Sequence, residues 1–418
     1  MSFVRPTGIR PTLRRATAAG RLGSVRSAVG TSVSAVVLGA LAACGSGSSD
    51  TAAASGAGGS ASASGNPREI AVTITAADGC TPNRTQAPAG ALTFTVVNKD
   101  ATAVSEIELL GGQRIVGEKE NIPPGFSGSF SVNVDGGSYS IYCPGASKES
   151  TPFTVTGTAA AGSADSSVTA LLAKGTQDYA SYVNTQVGYL VETTQALATA
   201  LKGSDLTAAQ TAYMKARPYY EKIEPVAESF AVGEDSLDSD IDAREGDVPD
   251  AEWTGFHRIE KGLFDAKSLT GLASYGDGLV TNVQKLQTLT KGLTYKPYEL
   301  ANGAQELLDE VASTKITGEE ERYSHIDLLD FQANNEGAQQ AFADLQPALE
   351  KIDTALTSTI TTAFTALNTL VDSYRTGDNA SGFRLYSSLT DADKQKLAAA
   401  VKAVQEPLSQ VASKVANS

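Results

Sequence analysis

Near residue 160 the hydrophobic pattern of this 418-residue chain changes period, and that change constrains the fold more than any other feature. Before it lie short alternating runs at 69–75, 91–97, 105–110, 114–119, 128–134, 138–143 and 152–156. A period of two puts every second side chain on one face, as in half-buried strands. The runs are separated by turn signals such as Ala77-Asp78-Gly79, Pro123-Pro124-Gly125 and Asp135-Gly136-Gly137. Seven short strands in some ninety residues predict an all-β Greek-key sandwich over 67–156. After a Gly/Ala/Ser-rich linker at 157–166, the remainder (167–418) is rich in Ala, Leu, Gln, Lys and Glu with apolar residues at helical spacing.

The spacing in that second part predicts helices over 168–202, 206–230, 251–264, 277–290, 297–312, 325–338, 341–376 and 391–416. Pro218, Pro225, Pro347 and Pro407 are candidates to kink or split them. Short connections between long helices favour an antiparallel bundle, so the fold class is a β-sandwich followed by an all-α domain.

The first 43 residues carry six arginines and no acid, then an apolar run from Val33 to Ala43, which is the layout of a signal peptide. Leu41-Ala42-Ala43-Cys44 follows the pattern of a bacterial lipobox, so Cys44 is the expected lipidation site. Residues 45–66 are almost wholly Gly, Ser and Ala, a flexible tether with a reach of roughly 25 Å. Loss of the leader and its six positive charges would take the net charge from −14 to −20. A chain so acidic lacks the clustered cations that phosphate contacts require, which excludes nucleic-acid binding. The expected address is the outer face of the plasma membrane.

The sandwich region holds Cys80 and Cys143 but no histidine, so a blue-copper site with two His ligands is excluded. Two options stay open for its cysteines. They form a structural disulfide in an oxidising compartment, or they join nearby carboxylates around iron or copper. Glu106 with Glu108, and Glu118 with Glu120, are the carboxylates in question, each pair two residues apart on one strand face.

In the helical part, Trp253 to Phe264 reads WTGFHRIEKGLF and contains one of only two histidines. His257 and Glu260 are three apart, so they rise from one helix face and can grip one ion, as Glu-x-x-His pairs do in metal-binding bundles. Glu221 and Glu224 form a second such pair. An acidic loop from Glu234 to Asp250 includes Asp240 and Asp242, and a third acidic patch at 319–327 includes Glu320 and His325. One imidazole among many carboxylates suits a hard cation such as iron better than copper(I). No HExxH and no G-x-S-x-G occurs, which leaves metallopeptidase or serine-hydrolase chemistry without motif support.

The stretches EKENIPPGFSGSF in the sandwich and then ARPYYEKIEPVAESF, WTGFHRIEKGLF and ERYSHIDLLDFQANNEGAQ occur here in the order seen in the EfeO family, which the mature chain resembles over nearly its whole length. That family joins a cupredoxin-like domain to an imelysin-like helical domain once named as a peptidase. The resemblance implies the extracytoplasmic component of an EfeUOB-type iron-uptake system. Its implied partners are a membrane iron permease and a haem peroxidase. It further implies metal ligation by His257 and Glu260, with Glu221, Glu224, Asp240 or Asp242, and Glu320 completing the site. In the sandwich it implies a second site at Cys80, Cys143, Glu108 and Glu118, although Ile107 stands where some relatives carry an aromatic residue. Capture and delivery of iron, without catalysis beyond possible help in oxidation, is the expected role, with a copper/iron redox protein or a metallopeptidase as alternatives.

Overall fold

The computed structural model describes residues 66–112, 114–120, 122–158, 166–230 and 237–418. The leader, Cys44, the tether, most of the 157–166 linker and the first part of the acidic loop lie outside the described residues.

Strands β1 (Glu69–Thr75), β2 (Gly79–Pro82), β4 (Gly90–Asn98) and β7 (Ser127–Val134) form one sheet in the order β2-β1-β4-β7. Strands β3 (Gln86–Pro88), β9 (Ser150–Thr156), β8 (Gly137–Tyr142), β5 (Ile107–Gly111) and β6 (Arg114–Lys119) form the second, in that order. The β1–β4 and β3–β9 pairs are parallel, and the other pairs are antiparallel. Alternation supplies the core: Ile70, Val72 and Ile74 of β1 and Leu92, Phe94 and Val96 of β4 are all buried. Phe94 stacks on Phe130 at 4.8 Å between ring centroids and tilts against Phe153 of the opposing sheet. β2 and β3 have no counterpart in the sequence reading. At four and three residues, each with a proline, they are too short to show alternation.

The helical part consists of α1 (Ser166–Leu201), α2 (Leu206–Glu221), α3 (Glu224–Glu228), α4 (Leu237–Asp242), α5 (Gly255–Glu260), α6 (Leu272–Thr290), α7 (Pro297–Ser313), α8 (Asp327–Ile352), α9 (Thr354–Asp372), α10 (Asp391–Leu408) and α11 (Val411–Ala416). α1 packs against α2, α6 and α8, and α7 packs against α8, α10 and α11. Several boundaries differ from expectation; the helix expected over 391–416 divides after Leu408 into α10 and α11, and that expected over 341–376 is interrupted at Asp353. The helix expected over 206–230 breaks at Lys222–Ile223, just before Pro225, which occupies the first turn of α3 where its missing N–H costs nothing. The break expected near residue 339 is absent, and α8 runs through Pro347. Gly337 there serves close packing instead, since a Cβ would stand 2.5 Å from the carbonyl oxygen of Lys222. The helix expected from residue 251 begins at Gly255.

Sandwich and helices belong to one compact unit. Asn302 of α7 donates to the carbonyl of Ser131 at 3.1 Å, and Asn133 donates to that of Ala416 at 2.8 Å. The edge strand β6 gives its Ile115 N–H to Ser229 O at 3.3 Å, which covers part of an otherwise open edge. Ion pairs Arg114–Glu299 and Lys119–Asp309 flank that contact. Among the described residues no helix is long and apolar enough to cross a membrane.

Candidate metal centre

His257 is placed by the residues that precede it. Gly255 has φ +80, and a Cβ there would meet the carbonyl oxygen of Ile241 at 2.1 Å. Only glycine allows α5 to begin so close to the backbone of α4. Trp253, buried, donates its indole N–H to Ala243 O at 2.7 Å, and Thr254 Oγ1 donates to Asp240 O at 2.9 Å. These bonds tie the start of α5 to the end of α4 and bring Asp242 beside His257. Past Glu260 the helix widens into a π-helical turn, Lys261–Asp265, a feature frequent near functional sites.

Three donors face one another. His257 Nε2 lies 3.6 Å from Asp242 Oδ1 and 3.5 Å from Glu320 Oε1. Atoms bound to a common ion at ~2.1 Å stand roughly 3–3.5 Å apart, so the three fit one cation with little adjustment. Glu221, at the end of α2, and Glu224, at the start of α3, form an overlapping group with Asp242 and Glu320, all ligand atoms within 4.8 Å of one another. All five side chains are buried.

Glu260 takes a different place from the one expected. Its Oε2 accepts from His257 Nδ1 at 3.1 Å, and its Oε1 accepts from the backbone N–H groups of Tyr323 and Ser324, each at 2.8 Å. The reading of His257 and Glu260 as two ligands clasping one ion is therefore corrected. Glu260 holds the ring from behind through Nδ1 and leaves Nε2 facing Asp242 and Glu320. Asp242, not Asp240, completes the group, because successive residues of α4 turn to different faces.

Two buried cations occupy the middle of this cage. Arg217 pairs with Glu221 at 2.5 Å, Glu320 at 2.6 Å and Glu321 at 3.1 Å, and also with Asp242. Lys315 pairs with Glu221 at 2.8 Å, Glu224 at 2.7 Å and Glu310 at 3.3 Å. They do not balance the acids. Glu221, Glu224, Asp242, Glu260, Glu320, Glu321, Asp327 and Asp330 are all buried around these two cations and His257. An excess of buried carboxylates must be met by protons or by a bound cation.

The titration directions express that excess. Burial pushes Asp242 up to about 7 although Arg217 and His257 oppose it. Burial and then Glu221 hold Glu224 well above the usual carboxylate range, and burial with Glu321 does the same to Asp330. Glu320 goes the other way, because Lys315, Arg244 and His257 outweigh its burial. Burial works to lower His257, but Asp242, aided by hydrogen bonds to Glu260 and Glu320, raises it to about 10.

A cleft of about 210 Å³ leads to this cage, lined by Glu224, Asp242, Glu310 and Glu320 on the helical side and by Ser105, Glu106 and Glu120 on the sandwich side. Within it Glu224, Glu228 and Glu310 form a further carboxylate group.

The sandwich site expected from the resemblance is not assembled. Cys80 and Cys143 form a disulfide that joins β2 of one sheet to the end of β8 in the other, Cα–Cα 6.3 Å. Both belong to the apolar core, and sulfurs bonded to each other are not thiolate ligands for iron or copper. Glu108 and Glu118 face each other across β5 and β6, and Glu108 is also opposite Tyr142 of β8. The pleat therefore puts Glu108 on the other face of the sheet from Cys143, which follows Tyr142. Burial, reinforced by Glu106, pushes Glu108 up to about 8, and burial with Glu306 pushes Glu118 well up.

Arg217, Lys315, Glu321 and Asp330 are absent from the sequence-derived site. His325 heads α8 with φ +58 as a turn residue and is outside the His257 group.

Fold and site together define a protein of two joined parts, a cupredoxin-like sandwich and an imelysin-type helical domain with a carboxylate–imidazole cage. Residues 38–155 match the family model described as cupredoxin-like domain, and residues 175–411 match the one described as imelysin. The proteins called iron uptake system component EfeO in Escherichia coli O157:H7, in E. coli K12 and in Shigella flexneri are each 38% identical to it over 347 residues. The match covers 82% of this chain and 90% of each relative. The chain belongs to the EfeO family of iron uptake system components.

Proposed function

We propose that the protein captures iron outside the cytoplasm and delivers it to a membrane permease within a multi-component uptake system. The observation that carries this reading is the group of Asp242, Glu320 and His257 Nε2, set at ligand spacing and surrounded by a surplus of buried carboxylates. Oxygen donors with a single imidazole favour iron over softer ions. Iron here is cargo: Asp242, His257 and Glu320 hold it, Glu221 and Glu224 add charge beside it, and the acidic cleft is its route in and out. Reversible transfer suits side chains that already accommodate cations in the unloaded protein. The lipid anchor at Cys44, the permease and a haem peroxidase partner are parts of the same proposal.

Binding rather than peptide cleavage is also proposed. His257 is 2% exposed, and the cleft is below the ~300 Å³ typical of small-ligand pockets, let alone a polypeptide site. An anaerobic titration with ferrous iron of the wild type and of His257→Ala tests the reading. Loss of one equivalent of tight binding in the variant supports it, and equal binding by both proteins contradicts it.

A further inference from the structure

We infer that Arg217 is a built-in stand-in for the cargo cation, and that Asp330 is the seat to which its guanidinium moves when iron enters. The inference rests on the iron-binding reading above. Arg217 is fully buried and directs its terminal nitrogens at the atoms an ion would use: Glu320 Oε1 at 2.6 Å, Glu221 Oε1 at 2.5 Å, His257 Nε2 at 3.3 Å, and Asp242 Oδ1. A guanidinium has only N–H donors and no lone pair, so it cannot itself ligate a metal, and one of its terminal nitrogens stands among these atoms where the ion would sit. Its positive charge would also repel the ion at close range. Loading therefore requires the terminal nitrogens to leave.

The structure holds a place for them. Asp330, in the first turn of α8, is fully buried, yet neither of its carboxylate oxygens makes a hydrogen bond. One of them lies 3.8 Å from Arg217 Nε. A buried carboxyl group whose two oxygens make no hydrogen bond is costly unless some state of the protein uses it. Arg217 Nε is already gripped by Glu321 Oε1 at 3.1 Å, and Glu321 is held in turn by the hydroxyl of Tyr213 at 2.8 Å. Reorientation of the end of the side chain exchanges Asp242 and Glu320 for the two oxygens of Asp330. A carboxylate accepts such a fork in bidentate fashion.

The exchange acts as a charge filter. An entering monovalent ion replaces one unit charge by another and gains little for its dehydration. A divalent or trivalent ion adds charge to a cage with surplus carboxylates, while the displaced guanidinium stays neutralised nearby.

Asp330→Asn keeps the shape of the seat and removes its charge. The test compares wild type, Asp330→Asn and His257→Ala in anaerobic ferrous-iron titrations, with the thermal midpoint of each metal-free protein measured alongside. The expected result for Asp330→Asn is an unchanged or raised metal-free midpoint with iron affinity weaker on the order of tenfold to a hundredfold. A crystal structure of the iron-loaded wild type is expected to show the guanidinium paired with Asp330. Wild-type affinity in Asp330→Asn overturns the inference while leaving the iron site standing. Weaker binding with a lowered metal-free midpoint marks a merely structural role and also overturns it. Undiminished binding in His257→Ala removes the site itself, and the inference with it.

Discussion

Glu260 stands behind His257, its Oε2 3.1 Å from Nδ1, while Nε2 on the far side of the ring faces Asp242 and Glu320. On the proposed function, two residues that look like equal partners in the sequence divide the work, one as ligand and one as its support.

The first prediction follows from that division. Glu260→Gln should weaken ferrous-iron binding by about ten- to a hundredfold, as loss of a residue that orients a ligand does. His257→Ala should abolish the tight site. Isothermal titration of the two variants separates these outcomes, and identical losses would return Glu260 to the ligand set.

The second prediction concerns Gly255. Alanine there must adopt a left-handed φ and collide with Ile241 O. Gly255→Ala should cost about 2–4 kcal/mol of stability, read from the denaturant midpoint, and should weaken iron binding because α4 carries Asp242. A variant with unchanged midpoint and affinity would show that α4 and α5 can part without consequence.

The His257 neighbourhood was legible because an imidazole in a histidine-poor chain is conspicuous, and because Glu221 and Glu224 lie at helical spacing from each other. The sequence could not choose Asp242 over Asp240, since the choice depends on which face of a six-residue helix meets α5. It gave no sign of Arg217 or Lys315 as site residues. A cation in an acidic chain looks like surface until the fold brings carboxylates from α2, α3, α4 and the turn before α8 around it. The sandwich was readable strand by strand wherever alternation ran for five residues or more. Its cysteines were not resolvable, because the opposition of Cys80 and Cys143 depends on how the two sheets face each other.

A third prediction uses Glu108. Its carboxyl is raised to about 8 by burial and Glu106, against an ordinary value near 4.5 in the unfolded chain. A raised carboxyl favours the folded state fully below the unfolded value, and that contribution is lost as pH rises through the folded one. Stability should therefore fall between about pH 4.5 and 8 from this group. Glu108→Gln should flatten the fall and gain on the order of 1–3 kcal/mol at pH 8. Urea midpoints at pH 5 and pH 8 for both proteins are the measurement, and parallel pH profiles would contradict it.

A fourth prediction separates the disulfide from the metal. The two cysteines are 63 residues apart in sequence, and removing the cross-link should cost about 2–4 kcal/mol. Cys80→Ser with Cys143→Ser should lower the thermal midpoint yet bind iron at the helical site with wild-type affinity. Loss of that binding without a change in stability would restore the cysteines as ligands.

On the proposed function, iron is held by carboxylates and one imidazole in the helical domain. Iron K-edge X-ray absorption on protein loaded anaerobically with one equivalent of ferrous iron tests it most directly. The expected spectrum has oxygen and nitrogen neighbours at ~2.0–2.2 Å, the outer scattering of a single imidazole and no sulfur, with the imidazole signal lost in His257→Ala. A sulfur shell, or an imidazole signal that survives in His257→Ala, would contradict it.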